Sequence, residues 1–199
     1  MAFYIEGLDV SFKDNISKVA FLDRDGVLNK DLGYVSSSSR FYLMENVISG
    51  MHLLQAMGFN ILFYTNQSGI ARGLYSSDEF EYFTNWVHAQ LHQNGIRVLG
   101  TYYCPHHPEF TGPCSCRKPS TGMLRAAISK FKVDLTHSLA IGDKLTDLTP
   151  AAELGVNHLY LLDPQSNIQR DIGYKYTSAK SWVELVNIIK HINSDMGEY

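Results

Sequence analysis

The sequence predicts a three-layer α/β fold, a parallel sheet with helices on both faces. Three observations lead there. Short, largely apolar runs of strand length alternate along the chain with segments whose apolar residues recur at helical spacing. Runs such as Val19-Ala20-Phe21-Leu22 and Ile61-Leu62-Phe63-Tyr64 are apolar throughout, as strands buried on both faces are. Each run then ends on residues able to do chemistry, and open α/β sheets bind their ligands at the carboxyl ends of their strands. Strands alternating with helices in this way require parallel pairing with right-handed crossovers.

Residues 1–17 mix apolar and polar positions without a sustained period and read as an N-terminal extension that packs on the domain or stays loose. The first strand runs from Val19 and stops at Asp23-Arg24-Asp25-Gly26. Asp31-Leu32-Gly33-Tyr34 and the serines that follow read as loop. Within residues 45–57, Val47, Ile48, Met51 and Leu54 fall on one helical face, and Gly58 is a fitting stop. Residues 60–65 form a second strand, and 66–73 a glycine-flanked loop. Ser76 with Glu79 makes a capping box, after which Phe80, Phe83, Val87 and Leu91 continue at helical spacing to Gly95. A third strand covers 97–103, and 104–119 is irregular because it holds four of the six prolines. A helix over 121–131, a fourth strand over 138–141, a short helix over 150–154 opening at Thr149-Pro150, a fifth strand over 157–162 and a last helix from Ser181 complete the pattern.

At 199 residues, one domain spanning 1–199 is expected, large enough to hold a core without staples. A net charge of -3 supplies no electrostatic footprint for nucleic acid or an anionic membrane, so neither is expected as a partner. No apolar run approaches the length of a spanning helix, and Glu6, Asp9 and Asp14 stand where a signal peptide would be basic, then apolar. A cytoplasmic monomer is the expectation.

Asp23 and Asp25, two residues apart on an extended chain, can address one small volume at the strand's end. Taken alone, the pair could merely solvate that end, with Asp25-Gly26 making a turn. Gly142-Asp143-Lys144 with Asp147 follows another buried strand, and alone its acids would read as helix caps. Together they make a carboxylate cluster on one sheet edge. Clustered carboxylates repel unless a cation joins them, and an all-oxygen set suits Mg²⁺, which also takes phosphate oxygens. Thr65 and Asn66 can hold phosphoryl oxygens, and Arg117, Lys118 and Lys144 bring fixed positive charge. All three cysteines lie between 104 and 116, as Cys104-x-His106 and Cys114-x-Cys116. Thiolates and imidazole in a set of four fit tetrahedral Zn²⁺ and leave no position open for catalysis, so the 104–116 loop reads as a structural zinc site. His107 competes as fourth ligand; His106 is preferred because its spacing mirrors the Cys114-x-Cys116 pair.

Four segments in order, Asp23-Arg24-Asp25-Gly26-Val27-Leu28-Asn29, Thr65 to Gly73, the cysteine loop with Arg117-Lys118-Pro119, and Gly142 to Asp147, resemble the haloacid dehalogenase-like phosphatases. Within that family the resemblance is to the histidinol-phosphate and heptose-bisphosphate phosphatase group. Asn66-Gln67-Ser68-Gly69-Ile70-Ala71-Arg72-Gly73 and Asp31 to Tyr34 favour the heptose branch, while the short stretch between His106 and Cys114 is nearer the histidinol branch. The resemblance implies a Rossmann-like domain with a zinc-held loop in place of a large cap, hydrolysing a small sugar phosphate. It implies Asp23 as nucleophile and Asp25 as proton donor and acceptor. Mg²⁺ would sit on Asp23, the Asp25 carbonyl and Asp143, with Asp147 behind. Thr65 and Lys118 would hold phosphoryl oxygens. Substrate contacts would come from Asp31, Leu32, Gly33, Tyr34, Thr65, Asn66, Gln67, Ser68, Arg72, Arg117, Lys118 and Lys144. A zinc-ribbon nucleic-acid module is the competing class, suggested only by the cysteine array.

Overall fold

Strands form where the sequence reading expects them, and two more form where it expects none. The computed structural model describes residues 2–8, 17–166 and 173–195. One sheet contains β1 (Phe3–Glu6), β2 (Val19–Leu22), β3 (Asn60–Asn66), β4 (Val98–Cys104), β5 (Leu139–Gly142), β6 (His158–Leu162) and β7 (Thr177–Ala179), in the order β1-β4-β3-β2-β5-β6-β7. Every neighbouring pair is parallel except β1 with β4. The helices are α1 (Val47–Ala56), α2 (Ser77–Gln93), α3 (Pro108–Thr111), α4 (Gly122–Lys130), α5 (Leu145–Glu153) and α6 (Trp182–Asp195).

The central strands alternate at a period of two between two cores. Ala20 and Leu22, Ile61 and Phe63, Leu139 and Ile141 point to the face covered by α1, α2 and α6, where Met51, Leu54, Val87, Trp182, Leu185 and Ile189 are buried. Phe21, Leu62, Tyr64, Ala140 and Leu161 point the other way, onto Met123, Leu124 and Ala127 of α4 and Leu148 and Ala151 of α5. Trp182 is the largest wholly buried side chain, and its Nε1 donates to the Val27 carbonyl at 2.8 Å. Gly50 of α1 makes room for it, since a Cβ there would lie 2.3 Å from the indole. Truncating Trp182 to alanine would cost about 3–5 kcal/mol of stability.

The chain leaves β2, builds β3 and β4 on one side, then crosses to build β5 on the other. The strand order therefore reverses between β2 and β5, the place where an open α/β sheet leaves a crevice at its carboxyl ends. The loops over that crevice are 23–46, 67–76 and 105–121; none carries a separate cap domain.

Two local expectations change. Residues 3–6 of the N-terminal extension are a strand, with Phe3 in register with Tyr103 and Glu6 with Gly100; residues 9–16 lie outside the described residues. The helix read as 150–154 starts at Leu145 and holds Pro150 inside. Proline is common at a helix's first position, which suggests a start there. Instead the start is set by Asp147, whose Oδ2 accepts the Lys144 backbone N–H at 2.9 Å.

Candidate active site

Each strand of the crevice ends in polar groups. After β2, Asp23 is buried and accepts a hydrogen bond from Lys118 Nζ at 2.7 Å. The same ammonium lies 2.7 Å from Asp147 Oδ1, donates to the Tyr64 carbonyl at 3.1 Å and sits 4.6 Å from the Tyr64 ring centre. Burial favours the neutral amine, but Asp147 and Asp23 outweigh it and hold the Lys118 pKa above its ordinary value. Lys118 is thus a fixed cation between two carboxylates.

Asp23, Asp143 and Asp147 can each place an oxygen within 4.8 Å of the others. Burial, opposed by Lys118 and reinforced by Asp147, Asp143 and Asp25, pushes Asp23 up to about 8. Burial and Asp147 likewise push Asp143 up to about 6. Gly26 explains how close the chain comes: at φ +89 it lies so near Asp143 that a Cβ would fall 2.4 Å from Oδ2. Asp143 Oδ1 is buried and has no hydrogen-bond partner. An orphaned carboxylate oxygen among mutually repelling acids fits a hard divalent cation such as Mg²⁺. Asp147 differs, because both of its oxygens are already taken, by Lys118 Nζ and the Lys144 N–H.

Asp25 has other neighbours. Beyond Asp23 the chain turns, with Val27, Leu28 and Asn29 all donating to the Arg24 carbonyl, so Asp25 lies on a turn instead of an extended strand. Its Oδ1 accepts from Arg24 Nη2 and Asn29 Nδ2 at 2.8 and 2.9 Å, and its Oδ2 from Arg24 Nη2 and Gln67 Nε2 at 2.7 and 3.1 Å. Burial works against the ionised form, but Arg24, Asn29 and Gln67 hold the carboxyl below the usual range. Two acids at i and i+2 are driven in opposite directions by their surroundings, which suits them to different tasks.

Thr65 closes the site from β3, its Oγ1 accepting from Gln67 Nε2 at 2.8 Å. The side chains of Asn66 and Gln67 turn inward as supports. Asn66 bonds both polar atoms of the Lys118 backbone, at 3.0 and 3.2 Å. Around the rim, Lys144 Nζ bridges Asp31 at 3.2 Å and Asp143 at 3.3 Å. Leu32, Gly33 and Tyr34 are exposed on the first loop, and the Asp31 carboxylate accepts the Gly33 N–H. Arg72 stands between the loops, its guanidinium carbon 4.7 Å from the Phe110 ring centre and 6.0 Å from that of Tyr34. Ser68 is partly buried at the start of the same loop, and Arg117 donates to the His106 carbonyl.

The cysteine loop begins at the end of β4. Its sulfurs lie 3.1 to 3.6 Å apart, and His106 Nδ1 is 3.6 Å from Cys104 Sγ and 3.3 Å from Cys116 Sγ. Tetrahedral zinc with bonds of about 2.3 Å spaces its sulfurs by roughly 3.8 Å, so Cys104, His106, Cys114 and Cys116 fit that ion. His107 faces away, where Nε2 meets Arg72 Nη2 at 3.1 Å and Nδ1 caps α3.

Arg24, Asn29 and Tyr75 belong to the site without having been singled out from sequence. Arg24 and Asn29 lie inside the first motif, which was a signal for them. Tyr75, whose hydroxyl donates to Gln67 Oε1 at 2.8 Å, sits in an unremarkable stretch before a helix.

Comparison with known proteins gives the family. The HAD-hydrolase-like family model matches residues 115–166. D-glycero-beta-D-manno-heptose-1,7-bisphosphate 7-phosphatase of Haemophilus influenzae is 45% identical over 137 residues, covering 67% of this chain and 74% of the relative. The enzyme of the same name from Pasteurella multocida is 38% identical over 185 residues, covering 90% of this chain and all (100%) of the relative. This chain belongs to the HAD-like phosphatases. Among solved structures of the family, a protein of Mesorhizobium loti described as HAD-like superimposes with a TM-score of 0.84 at 27% identity, covering 97% of this chain and 93% of that one. D,D-heptose 1,7-bisphosphate phosphatase from B. bronchiseptica, complexed with magnesium and phosphate, superimposes with a TM-score of 0.74 at 29% identity, covering 88% and 99%. Family membership sets aside the zinc-ribbon nucleic-acid reading of the cysteine array.

Proposed function

We propose that the whole chain acts as one catalytic domain that hydrolyses the 7-phosphate of a heptose 1,7-bisphosphate, releasing inorganic phosphate. The names of relatives up to 45% identical support the substrate. The observation that carries the chemistry is the set at the strand-order reversal: a buried nucleophilic carboxylate held by a buried lysine, beside a second acid whose pKa is driven the other way.

Asp23 attacks phosphorus in line and forms an aspartyl-phosphate as the bond to the sugar oxygen breaks. Asp25 gives that oxygen its proton. Held ionised in the free protein, it takes up the proton as the anionic phosphate arrives beside it. Water then attacks the aspartyl-phosphate, Asp25 takes the water's proton, and phosphate leaves Asp23 free. Lys118 and the Thr65 hydroxyl hold the phosphoryl oxygens throughout. Mg²⁺, held by Asp23, Asp143 and the Asp25 carbonyl with Asp147 in support, would neutralise the charge of the transferring group and favour ionised Asp23. Zn²⁺ on Cys104, His106, Cys114 and Cys116 would hold the loop from which Arg117 and Lys118 project. Asp31 to Tyr34, Ser68, Arg72, Arg117 and Lys144 surround the mouth and meet the sugar and its second phosphate.

Phosphate release from both anomers of heptose 1,7-bisphosphate and from histidinol phosphate, in Mg²⁺, tests this reading. The expected result is a kcat/KM for one heptose anomer at least about 10-fold above that for histidinol phosphate. Faster turnover of histidinol phosphate would reverse it.

A further inference from the structure

Gln67 is buried, and all three polar contacts of its side-chain amide are made inside the protein. Both N–H groups of Nε2 are spent, on Asp25 Oδ2 at 3.1 Å and Thr65 Oγ1 at 2.8 Å, while Oε1 accepts from the Tyr75 hydroxyl at 2.8 Å. We propose that Tyr75 is a positioning residue of this active site, acting through Gln67 to hold the Asp25 carboxylate and to aim the Thr65 hydroxyl. The proposal rests on the roles given above to Asp25 and Thr65, and it reassigns Gln67 from substrate contact to support.

Two consequences follow from the bonding. Thr65 Oγ1 receives its hydrogen bond from inside the protein, so its own proton is free to be donated outward, to a phosphoryl oxygen. Asp25 keeps its Oδ2 toward Gln67 only while the amide is oriented as found. A half-turn of that amide would set Oε1 against the Asp25 carboxylate and the Thr65 oxygen. Donation from Tyr75 to Oε1 opposes the half-turn and restricts rocking about it.

Tyr75 is itself held rigidly. Its ring stacks on Phe80 with centres 6.3 Å apart. Gly69 leaves the space it occupies, for a Cβ at 69 would lie 2.3 Å from the ring. The next residue, Ser76, caps α2: its Oγ accepts from the Glu79 N–H, and its N–H donates to Glu79 Oε2. Burial pushes the Tyr75 phenol up to about 12, so it remains a donor at neutral pH. The position of the site's proton carrier is thereby tied to the first turn of a 17-residue helix.

The test compares Tyr75→Phe, Gln67→Met and the double variant with the wild type on two substrates. One is the heptose bisphosphate, whose sugar oxygen needs a proton to leave. The other is p-nitrophenyl phosphate, whose phenolate leaves without one. Tyr75→Phe is expected to lower kcat/KM about 10-fold on the sugar phosphate and about 3-fold or less on the nitrophenyl ester. The double variant should be no slower than Gln67→Met alone, because Tyr75 acts through that amide. Equal losses on both substrates, additive losses in the double variant, or an unchanged Tyr75→Phe would each overturn the proposal. Gln67→Met keeps the question answerable should Tyr75→Phe fold poorly: alone, it must show the same leaving-group dependence. Asp25→Asn in the same assay separates the two readings; if it keeps full activity on the sugar phosphate, the role of Asp25 fails first.

Discussion

Two clusters of ionisable side chains sit on one sheet edge, and they solve opposite problems. The cysteine loop gathers three sulfurs and one imidazole nitrogen, a set whose four donors complete a tetrahedral ion. The aspartate cluster gathers oxygens that repel one another and leaves Asp143 Oδ1 without any partner. With zinc bound, closure would make the first a brace, while the unmet demand of the second suits it to hold a cation. Arg117 and Lys118 follow Cys116 directly in the chain: Arg117 donates back to the His106 carbonyl of the loop, and Lys118 reaches into the aspartates.

The largest test of this contrast is Asp23→Asn. It removes the carboxylate proposed as nucleophile while keeping a neutral acceptor beside Lys118, and turnover should fall at least about 1000-fold with the far-ultraviolet circular dichroism unchanged. Cys116→Ser opens the closed cluster. Bound zinc measured by elemental analysis should be lost, the thermal midpoint should drop by roughly 10 °C or more, and activity should fall with it because Lys118 loses its anchor.

The sign of the pH response should also separate the clusters. Asp23 binds its proton more tightly in the folded chain, up to about 8, than in the unfolded one, so it costs stability as pH rises from about 4 to about 8. Buried His88, pushed down to about 4, acts oppositely but only below about 6.5. Zinc-loaded, magnesium-free protein should therefore melt a few °C lower at pH 8 than at pH 6.5, and adding Mg²⁺ should remove the difference. The smallest effect concerns the two adjacent histidines. His107→Ala should keep its zinc, while His106→Ala should lose it; loss of zinc from His107→Ala would reassign the fourth ligand.

Much of this architecture was legible in the chain. The apolar runs at 19–22 and 61–64 marked central strands because a strand buried on both faces must be apolar on both. The edge strands β1 and β7 gave a weaker signal: each pairs with one neighbour only, so the short apolar run of β1 stops at exposed Glu6 and β7 carries exposed Thr177 and Ser178. Pro150 misled for a different reason. Its preference for a helix start was overridden by another local signal, the bond from the Lys144 N–H to Asp147 three residues on.

The sequence by itself determined which kinds of atoms meet: carboxylates, a lysine and a threonine at strand ends, and sulfur with imidazole in one short loop. Period-two strands and strand-terminal motifs are local facts, and a parallel sheet brings such ends together. Only the tertiary structure decided how those atoms are used. Lys118 could be placed between Asp23 and Asp147, Asn66 turned to the Lys118 backbone, and Tyr75 set on Gln67 only by residues 95, 29, 52 and 8 positions apart being brought into contact. Hydrogen bonds are short and directional, so which donor meets which acceptor is settled by packing of whole elements, and no spacing in the chain encodes it.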